Sequence, residues 1–307
     1  MMYESESQAR WPMAIRRILV PMSGRYDPDD PESLDSSGLE IGLKLGQQLQ
    51  AHVEALCVTG PPRKPEKAFA AWIPGYGIRQ LIEIVEKEGA ARHQRARSAF
   101  DAAIRGMKEP PAITSDAVPG FTVEFTERAG DIRETIGIRG RLADLVVTAN
   151  SPERWRWNYR PILDAALRDT GRPLLVSAPN APPRLDRRIA IAWNGSIEAS
   201  RAVAALLDVI QPGAELVILS VAEDGTAAES LQDVADYLRW HGLDAASVEL
   251  EGGARSGGDL ILSRALETGC DLLVMGACIH SHARHVVFGS MTETVLSSAQ
   301  ISALMVT

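Results

Sequence analysis

The stretch that decides the fold is DLLVMGACIHSHARHVVFGSMTETVL, which runs from Asp271 to Leu296. Leu272 to Met275 form a short apolar run without alternation, which is typical of a parallel strand buried on both faces. Gly276 ends this strand, and Gly289-Ser290 opens a segment in which Glu293 completes the spacing of a helix capping box. Open α/β sheets bind phosphate where a strand ends in glycine and leads to a helix N-terminus. The stretch therefore predicts an α/β fold with an anion site.

The chain repeats its strand pattern. Residues 17–24 correspond to residues 188–195, and each segment is an apolar run that ends in a glycine turn. Four further pairs of apolar runs follow in the same order: 53–58 and 216–221, 123–125 and 248–250, 144–147 and 271–274, 174–176 and 304–306. Strands that alternate with helices predict a parallel sheet with right-handed crossovers in each half.

The first half carries extra segments. An acidic loop containing Asp27, Asp29, Asp30 and Asp35 is expected before a helix over 39–49. A Pro- and Gly-rich stretch from 61 to 76 precedes a long helix that reaches toward Phe100. The Pro-rich stretch 178–184 reads as a linker. The predicted domains are therefore residues 1–180 and 185–307.

Composition excludes several classes of protein. A net charge of −8 and 5% aromatic residues argue against nucleic-acid binding, which needs a basic face. Three scattered cysteines imply no disulfide framework, and a reducing cytoplasm is the expected location. The first ten residues lack the apolar core of a signal peptide, and no apolar run is long enough to span a membrane.

The spacing of Gly276, Gly289 and Ser290 resembles the nucleotide-binding segment of the universal stress protein superfamily, which reads Gly, two residues, Gly, nine residues, Gly, then Ser or Thr. Ile279 stands at the middle glycine position. Both halves resemble universal stress protein domains in tandem. The resemblance implies two doubly wound parallel five-stranded sheets, Rossmann-like and of the adenine nucleotide alpha hydrolase type. It also implies a pseudo-two-fold, because single domains of the family pair through their last strands.

The resemblance implies that ATP, with Mg²⁺, lies across the C-terminal ends of the first and fourth strands of the second half. Asn194 replaces the family's acidic residue, and its amide retains hydrogen-bonding capacity. The residues that would surround the nucleotide are Ala192, Trp193, Asn194, Gly195, Val221, Met275, Gly276, Ala277, Gly289, Ser290, Met291 and Thr292. The alternative is that Gly276 only makes the turn and Ser290 only caps the helix.

The first half is expected to lack a phosphate cradle. No glycine follows Val147 until Gly171, and Ser23-Gly24 replaces the acidic residue of the first turn. The bulky loop 153–160 contains Trp155, Trp157 and Tyr159. These aromatic side chains either form an exposed patch or fold inward, and the inward arrangement is favoured because exposed aromatic patches are uncommon.

A metal site is a second hypothesis. Imidazole and thiolate suit Zn²⁺, although the spacing here matches no standard zinc motif. The candidate ligands are Cys278, His280, His282 and His285.

Catalysis is a third hypothesis, but the absence of common catalytic motifs argues against a dedicated enzyme. The sequence has no Gly-x-Ser-x-Gly, no Walker-type Gly-Lys-Ser and no His-Glu-x-x-His. Four aspartates recur beside strands in both halves and predict turn or cap chemistry: Asp131, Asp144, Asp259 and Asp271. Weak ATP hydrolysis or autophosphorylation at Ser290 or Thr292 is the most that the resemblance allows.

The sequence therefore predicts a cytoplasmic tandem universal stress protein with a regulatory, stress-response role. Adenine nucleotide and an unidentified protein are the expected partners, with a homodimer as an addition to the internal pseudo-dimer. The alternatives are an interaction scaffold that binds no nucleotide, and a metal or small-molecule sensor that uses the loop 278–285.

Overall fold

The computed structural model describes residues 15–24, 34–59, 75–150, 160–178, 181, 187–222, 227–253, 255–277, 279–282, 285–298 and 300–307. Three regions singled out from the sequence fall outside these ranges: the acidic residues before Asp35, residues 61–74 and the aromatic residues of the 153–160 loop. Only Ala178 and Ala181 of the linker are described, so the domain boundary stays a prediction.

The N-terminal half follows the predicted order of strands and helices. Its elements are β1 (Arg17–Met22), α1 (Leu34–Leu49), β2 (His52–Thr59), α2 (Gly75–Gly106), β3 (Ala112–Ile113), β4 (Thr122–Ala129), α3 (Ile132–Gly140), β5 (Leu145–Ala149), α4 (Arg160–Arg168) and β6 (Leu174–Ser177). Helix α1 begins earlier than the predicted residue 39. Asp35 therefore lies in the first turn of a helix, and its placement in a loop was wrong.

The C-terminal half repeats this order. Its elements are β7 (Arg188–Ala192), α5 (Ile197–Val209), β8 (Glu215–Val221), α6 (Ala227–Trp240), β9 (Ala245–Leu250), α7 (Gly257–Glu267), β10 (Leu272–Gly276), β11 (Ile279–His282), β12 (His285–Phe288), α8 (Ser290–Ser298) and β13 (Ser302–Val306). The hairpin of β11 and β12 replaces the loop that was expected after Gly276.

One sheet of eleven strands runs through both halves, in the order β3-β4-β2-β1-β5-β6-β13-β10-β7-β8-β9. Strands within each half are parallel, whereas β6 and β13 pair antiparallel, with Leu175 opposite Leu304. The predicted pairing of the last strands is confirmed. The two five-stranded sheets are joined into one, and the short strand β3 adds a sixth strand to the N-terminal half.

The hydrophobic core forms two layers, one on each face of the sheet, and both layers cross the join. Leu175 of β6 and Leu304 of β13 belong to one layer, and Val176 and Ala303 belong to the other. Hydrogen bonds add to this contact: Asn150 Nδ2 donates to the Leu296 carbonyl at 2.6 Å, and the Ala178 N–H donates to Ser302 Oγ at 3.0 Å. The halves therefore share one continuous core.

No helix within the described ranges is both long enough and apolar enough to cross a membrane.

Candidate functional site

The candidate site lies where the strand order of the C-terminal half reverses. Strands β8 and β9 lie on one side of β7, and β10 and β13 lie on the other. Open α/β sheets bind ligands at such a switch point, outside the C-terminal ends of the strands. Two of the predicted groups, Ala192 to Gly195 and Met275 to Ala277, lie at the C-terminal ends of the two strands that flank it, β7 and β10.

The turn after β7 is held by local hydrogen bonds. The Trp193 N–H donates to the Leu219 carbonyl at 2.8 Å, and Asn194 Oδ1 accepts from the Ser196 N–H at 3.1 Å. Gly195 has φ +71°, a conformation that glycine adopts without strain. Ser196 is the N-cap of α5, because its Oγ accepts from the Ala199 N–H. Asn194 thus stabilises its own turn while its side chain stays exposed.

Trp193 links this turn to the next crossover. Its Nε1 donates to Ser230 Oγ of α6 at 2.7 Å, and its half-buried ring packs against the core. Val221 ends β8 and lies against the start of α7, since a Cβ on Gly257 would come within 3.6 Å of its Cγ2. Trp193 and Val221 thus lie at the C-terminal ends of β7 and β8 and pack against opposite layers of the core.

Gly276 is explained by packing. A Cβ at this position would lie 2.6 Å from the backbone nitrogen of Ala199, in the first turn of α5. The N-terminal half makes the same strand-to-helix contact with the glycine on the other element: a Cβ on Gly38 of α1 would lie 3.1 Å from the nitrogen of Ala149, which ends β5. Gly276 lets α5 approach the sheet whether or not a ligand binds.

Helix α8 starts without a side-chain cap. Ser290 is its first residue, and the Glu293 N–H donates to the Gly289 carbonyl at 3.0 Å in an ordinary helical bond. The predicted capping box, with Ser290 at the N-cap, was therefore wrong. By contrast, Ser196 caps α5 and Ser256 caps α7.

The start of α8 lies beside the start of α7, because a Cβ on Gly258 would lie 3.0 Å from Met291 Cα. Ser290 is exposed, whereas Thr292 is buried. In the described part of the chain the first N–H groups of α8 have no side-chain partner, and a helix leaves such groups free to bind an anion.

The hairpin between Gly276 and Gly289 sets the backbone conformation of Ile279, which stands at a position where the family pattern has glycine and where a positive φ would strain a β-branched residue. This residue pairs with Phe288 in an extended strand, and among the described residues only Gln50 has a positive φ without being glycine. A β-branched side chain is well suited to a strand. The strain that a left-handed conformation would impose on Ile279 therefore does not arise.

The metal hypothesis stays a prediction. The register of the hairpin places His282 opposite His285, and Cys278 lies outside the described residues. Within the ranges that the structure describes, no three His, Cys, Asp or Glu residues are grouped to hold a metal ion.

The corresponding turn of the N-terminal half is filled by its own carboxylate. Asp35 of α1 is 3% exposed and accepts hydrogen bonds from the N–H groups of Ser23 and Gly24, both at 2.8 Å. Helix α2 closes on the same turn, where Arg95 Nε donates to the Gly24 carbonyl at 2.7 Å. The sequence analysis placed Asp35 in a loop and therefore did not predict that its carboxylate would bind the backbone of the Ser23–Gly24 turn.

The four recurring aspartates serve as caps and turn acceptors, as predicted. Asp131 is the N-cap of α3, and Asp259 lies in the first turn of α7, where Ser256 Oγ donates to it. Asp144 accepts from the backbone N–H groups of Arg16 and Arg17, and Asp271 accepts from that of Arg188. These aspartates therefore recur in both halves because they stabilise the same turns and helix starts.

The described cysteines are unsuited to nucleophilic chemistry. Burial, with a smaller contribution from the Asp35 and Glu127 carboxylates, raises the pKa of the Cys57 thiol to about 12. Burial also raises the pKa of Cys270. Both thiols therefore stay protonated at neutral pH, and only the thiolate is a good nucleophile.

Comparison with known proteins agrees with this architecture. Residues 187–307 match the model of the universal stress protein family. The C-terminal half is therefore similar to a universal stress protein domain over its whole described length. No curated protein matches the chain at a significant level.

Among solved structures, a universal stress protein from Archaeoglobus fulgidus DSM 4304 aligns over 94% of this chain and 97% of its own, with 16% identity and a TM-score of 0.58. A functionally unknown protein from Pseudomonas aeruginosa PAO1 aligns over 95% and 92%, with 17% identity and a TM-score of 0.54. Both alignments span both halves, so the tandem universal stress protein fold extends over the chain.

Proposed function

We propose that this protein is a regulatory universal stress protein that binds an adenine nucleotide, ATP with Mg²⁺, in its C-terminal half. The observation that carries the proposal is the uncapped start of α8, which follows Gly289 at the switch-point edge of the sheet. A helix N-terminus without a side-chain cap offers backbone N–H groups and a positive dipole end to phosphate.

The surrounding residues fit the parts of a nucleotide. The N–H groups of Ser290, Met291 and Thr292, with the exposed Ser290 hydroxyl, are the phosphate donors. Asn194, exposed on the β7 turn, and Val221, at the end of β8, are the contacts for the nucleoside. Bound Mg²⁺ neutralises phosphate charge and takes most of its ligands from phosphate and water.

The proposed role is regulatory because the described residues offer binding groups and no activated nucleophile. The Cys57 and Cys270 thiols are protonated, and the recurring aspartates accept hydrogen bonds from backbone N–H groups or from the Ser256 hydroxyl. A ligand that binds only the folded chain stabilises it, by about 2.7 kcal/mol when its concentration is about 100 times Kd. Nucleotide level would thereby set the stability and partner surface of the folded protein.

A matched pair of variants tests the proposal. Ser290→Asp places a negative charge at the start of α8, which stabilises the helix dipole but repels phosphate. Ser290→Asn has nearly the same shape without the charge. We expect ATP with Mg²⁺ to raise the melting temperature of the natural chain and of Ser290→Asn, while Ser290→Asp melts no lower than the natural chain and shows no rise.

Two outcomes would contradict nucleotide binding at this site. One is the absence of any change in melting temperature or heat of titration with millimolar ATP and Mg²⁺. The other is an equal response from Ser290→Asp and Ser290→Asn, which would place any bound nucleotide away from α8.

A further inference from the structure

The last strand of the sheet, β9, presents an open backbone edge. In the described part of the chain it pairs with β8 alone, in continuous register from Ala245 opposite Leu216 to Leu250 opposite Val221. The Ala222 N–H donates to the Leu250 carbonyl at 2.9 Å, so the backbone groups of Leu250 face β8. Backbone groups alternate in direction along a strand. Those of Ala245, Ser247 and Glu249 therefore face outward.

The opposite edge of the sheet differs. Strand β3 covers the start of β4, with Ala112 opposite Thr122 and Ile113 opposite Val123. The remainder of β4 carries three charged residues, Glu124, Glu127 and Arg128. Charged residues and short covering strands are how proteins protect an edge from pairing.

Strand β9 has little of this protection. Among its six residues only Glu249 is charged, and none is proline or glycine. Its register with β8 contains no bulge. An unprotected edge of this kind is a template for pairing with another strand.

We propose that β9 pairs antiparallel with β9 of a second copy of this chain, about a two-fold axis through Ser247. Only outward-facing residues can exchange hydrogen bonds, so Ser247 lies opposite Ser247 of the second copy and Ala245 lies opposite Glu249 of the second copy. Three such pairs supply about six backbone hydrogen bonds. Ala246 lies opposite Val248 of the second copy, so this register places no like charges face to face.

Two features of the molecule support this occupant. The chain already extends its sheet by antiparallel edge pairing, at β6 and β13. In addition, α6 ends beside β9 with exposed aromatic side chains: Trp240 is 86% exposed, and Tyr237 is 42% exposed. Tyrosine and tryptophan are enriched where proteins associate. The β9 surface is distinct from the join between the halves and from the proposed nucleotide site.

Sedimentation or light scattering of the full chain tests the proposal, with Ser247→Pro as the decisive variant. The Ser247 N–H points away from β8, so proline removes an intermolecular donor without removing a β8–β9 bond. We expect a dimer for the natural chain and for Ser247→Thr, and at least about tenfold weaker association for Ser247→Pro, equivalent to about 1.4 kcal/mol. The melting temperature of diluted Ser247→Pro should match that of Ser247→Thr.

Charge variants test the two-fold itself, because residue 247 faces its own copy. Ser247→Lys and Ser247→Glu should each be monomeric, and an equimolar mixture of the two should form a heterodimer. A natural chain that stays monomeric at its solubility limit overturns the proposal, as would happen if another segment of the same chain covered β9. A Ser247→Pro dimer as stable as the natural one overturns it as well.

Discussion

In each half a glycine allows a helix to pack closely against the end of a strand, but the glycine belongs to the strand in one half and to the helix in the other. On the C-terminal side it is Gly276 of the strand that admits the helix backbone at Ala199, and on the N-terminal side it is Gly38 of the helix that admits the strand at Ala149. The glycine pattern that suggested a phosphate site therefore has a packing cause at its first position. At Gly289 the absence of a side chain leaves the start of α8 uncapped, and the proposed nucleotide site depends on this feature.

Gly276→Ala should destabilise the protein. The added Cβ meets backbone atoms of α5 at 2.6 Å, which a side-chain rotation cannot relieve. We expect the free energy of unfolding to fall by about 1–3 kcal/mol, the usual cost of overpacking. Urea unfolding measures it, with Gly253→Ala as the control, since a Cβ there meets nothing within 4 Å. Unchanged stability together with lost ATP binding would make Gly276 a ligand residue instead.

Asp164 gives a pH-dependent prediction. Burial raises the pKa of its carboxyl, although Arg160, Arg168 and Arg133 oppose the shift. A carboxyl with a raised pKa in the folded state binds more protons there than in the unfolded chain. Its contribution to stability therefore falls as pH rises through the titration range of the carboxyl.

Asp164→Asn should then be the more stable protein at about pH 7, with the advantage shrinking toward about pH 4. Urea unfolding of both proteins at several pH values measures the difference. An advantage that is independent of pH would show that the carboxylate charge is not its cause.

At the scale of elements, the apolar runs predicted the strands because parallel strands covered on both faces must be apolar. Helix α1 was misplaced at its start because the long-range bond from Asp35 to the Ser23–Gly24 turn decides where the helix begins, and no local pattern shows such a bond. The hairpin of β11 and β12 was missed because the sequence between the two strands, Ala-Arg, is not the Asn-Gly or Asp-Gly pair that marks hairpins in sequence.

One ion cluster joins three elements. Glu54 of β2 is 1% exposed and bonds Arg17 of β1 at 2.7 Å and Arg139 of α3 at 2.5 Å. Glu54→Gln should cost about 3–5 kcal/mol in unfolding free energy, because it leaves two guanidinium groups without their buried counter-charge.

The C-terminal half supplies the control for this cluster. Arg188 pairs with Glu215 at 3.0 Å at the corresponding N-terminal end of the β7–β8 pair, but Glu215 is 70% exposed. Glu215→Gln should cost less than about 1 kcal/mol. Equal losses for Glu54→Gln and Glu215→Gln in chemical denaturation would mean that the buried cluster contributes no more than a surface pair.

At the scale of the whole molecule, the internal repeat predicted two halves of the same architecture, and the family resemblance predicted the pairing of their last strands, β6 and β13. The antiparallel join follows from the pseudo-two-fold, which reverses the strand direction of one half relative to the other while equivalent helices stay on the same face of the sheet. Neither the open β9 edge nor the uncapped α8 could be derived from the repeat, because each depends on where neighbouring segments end in space.

Residues 185–307 alone should associate through β13, because removing the N-terminal half uncovers the strand Ser302–Val306. In the Ser247→Pro background, which blocks β9, we expect this fragment to dimerise and residues 1–180, added in trans, to displace the dimer. Light scattering follows both steps. A folded fragment that remains monomeric would show that β13 needs the covalent link to find a partner strand.

Because the two halves belong to one chain, they are not required to have identical sites. Two identical subunits joined about a two-fold must carry identical sites, so any substitution appears twice. In this chain the halves are separate stretches of one gene, and each can change without the other. One has placed the Asp35 carboxylate inside its turn, while the other keeps a bare helix start after Gly289. Because the halves are not constrained to be identical, one turn can be closed by its own side chain while the other half leaves a helix start open.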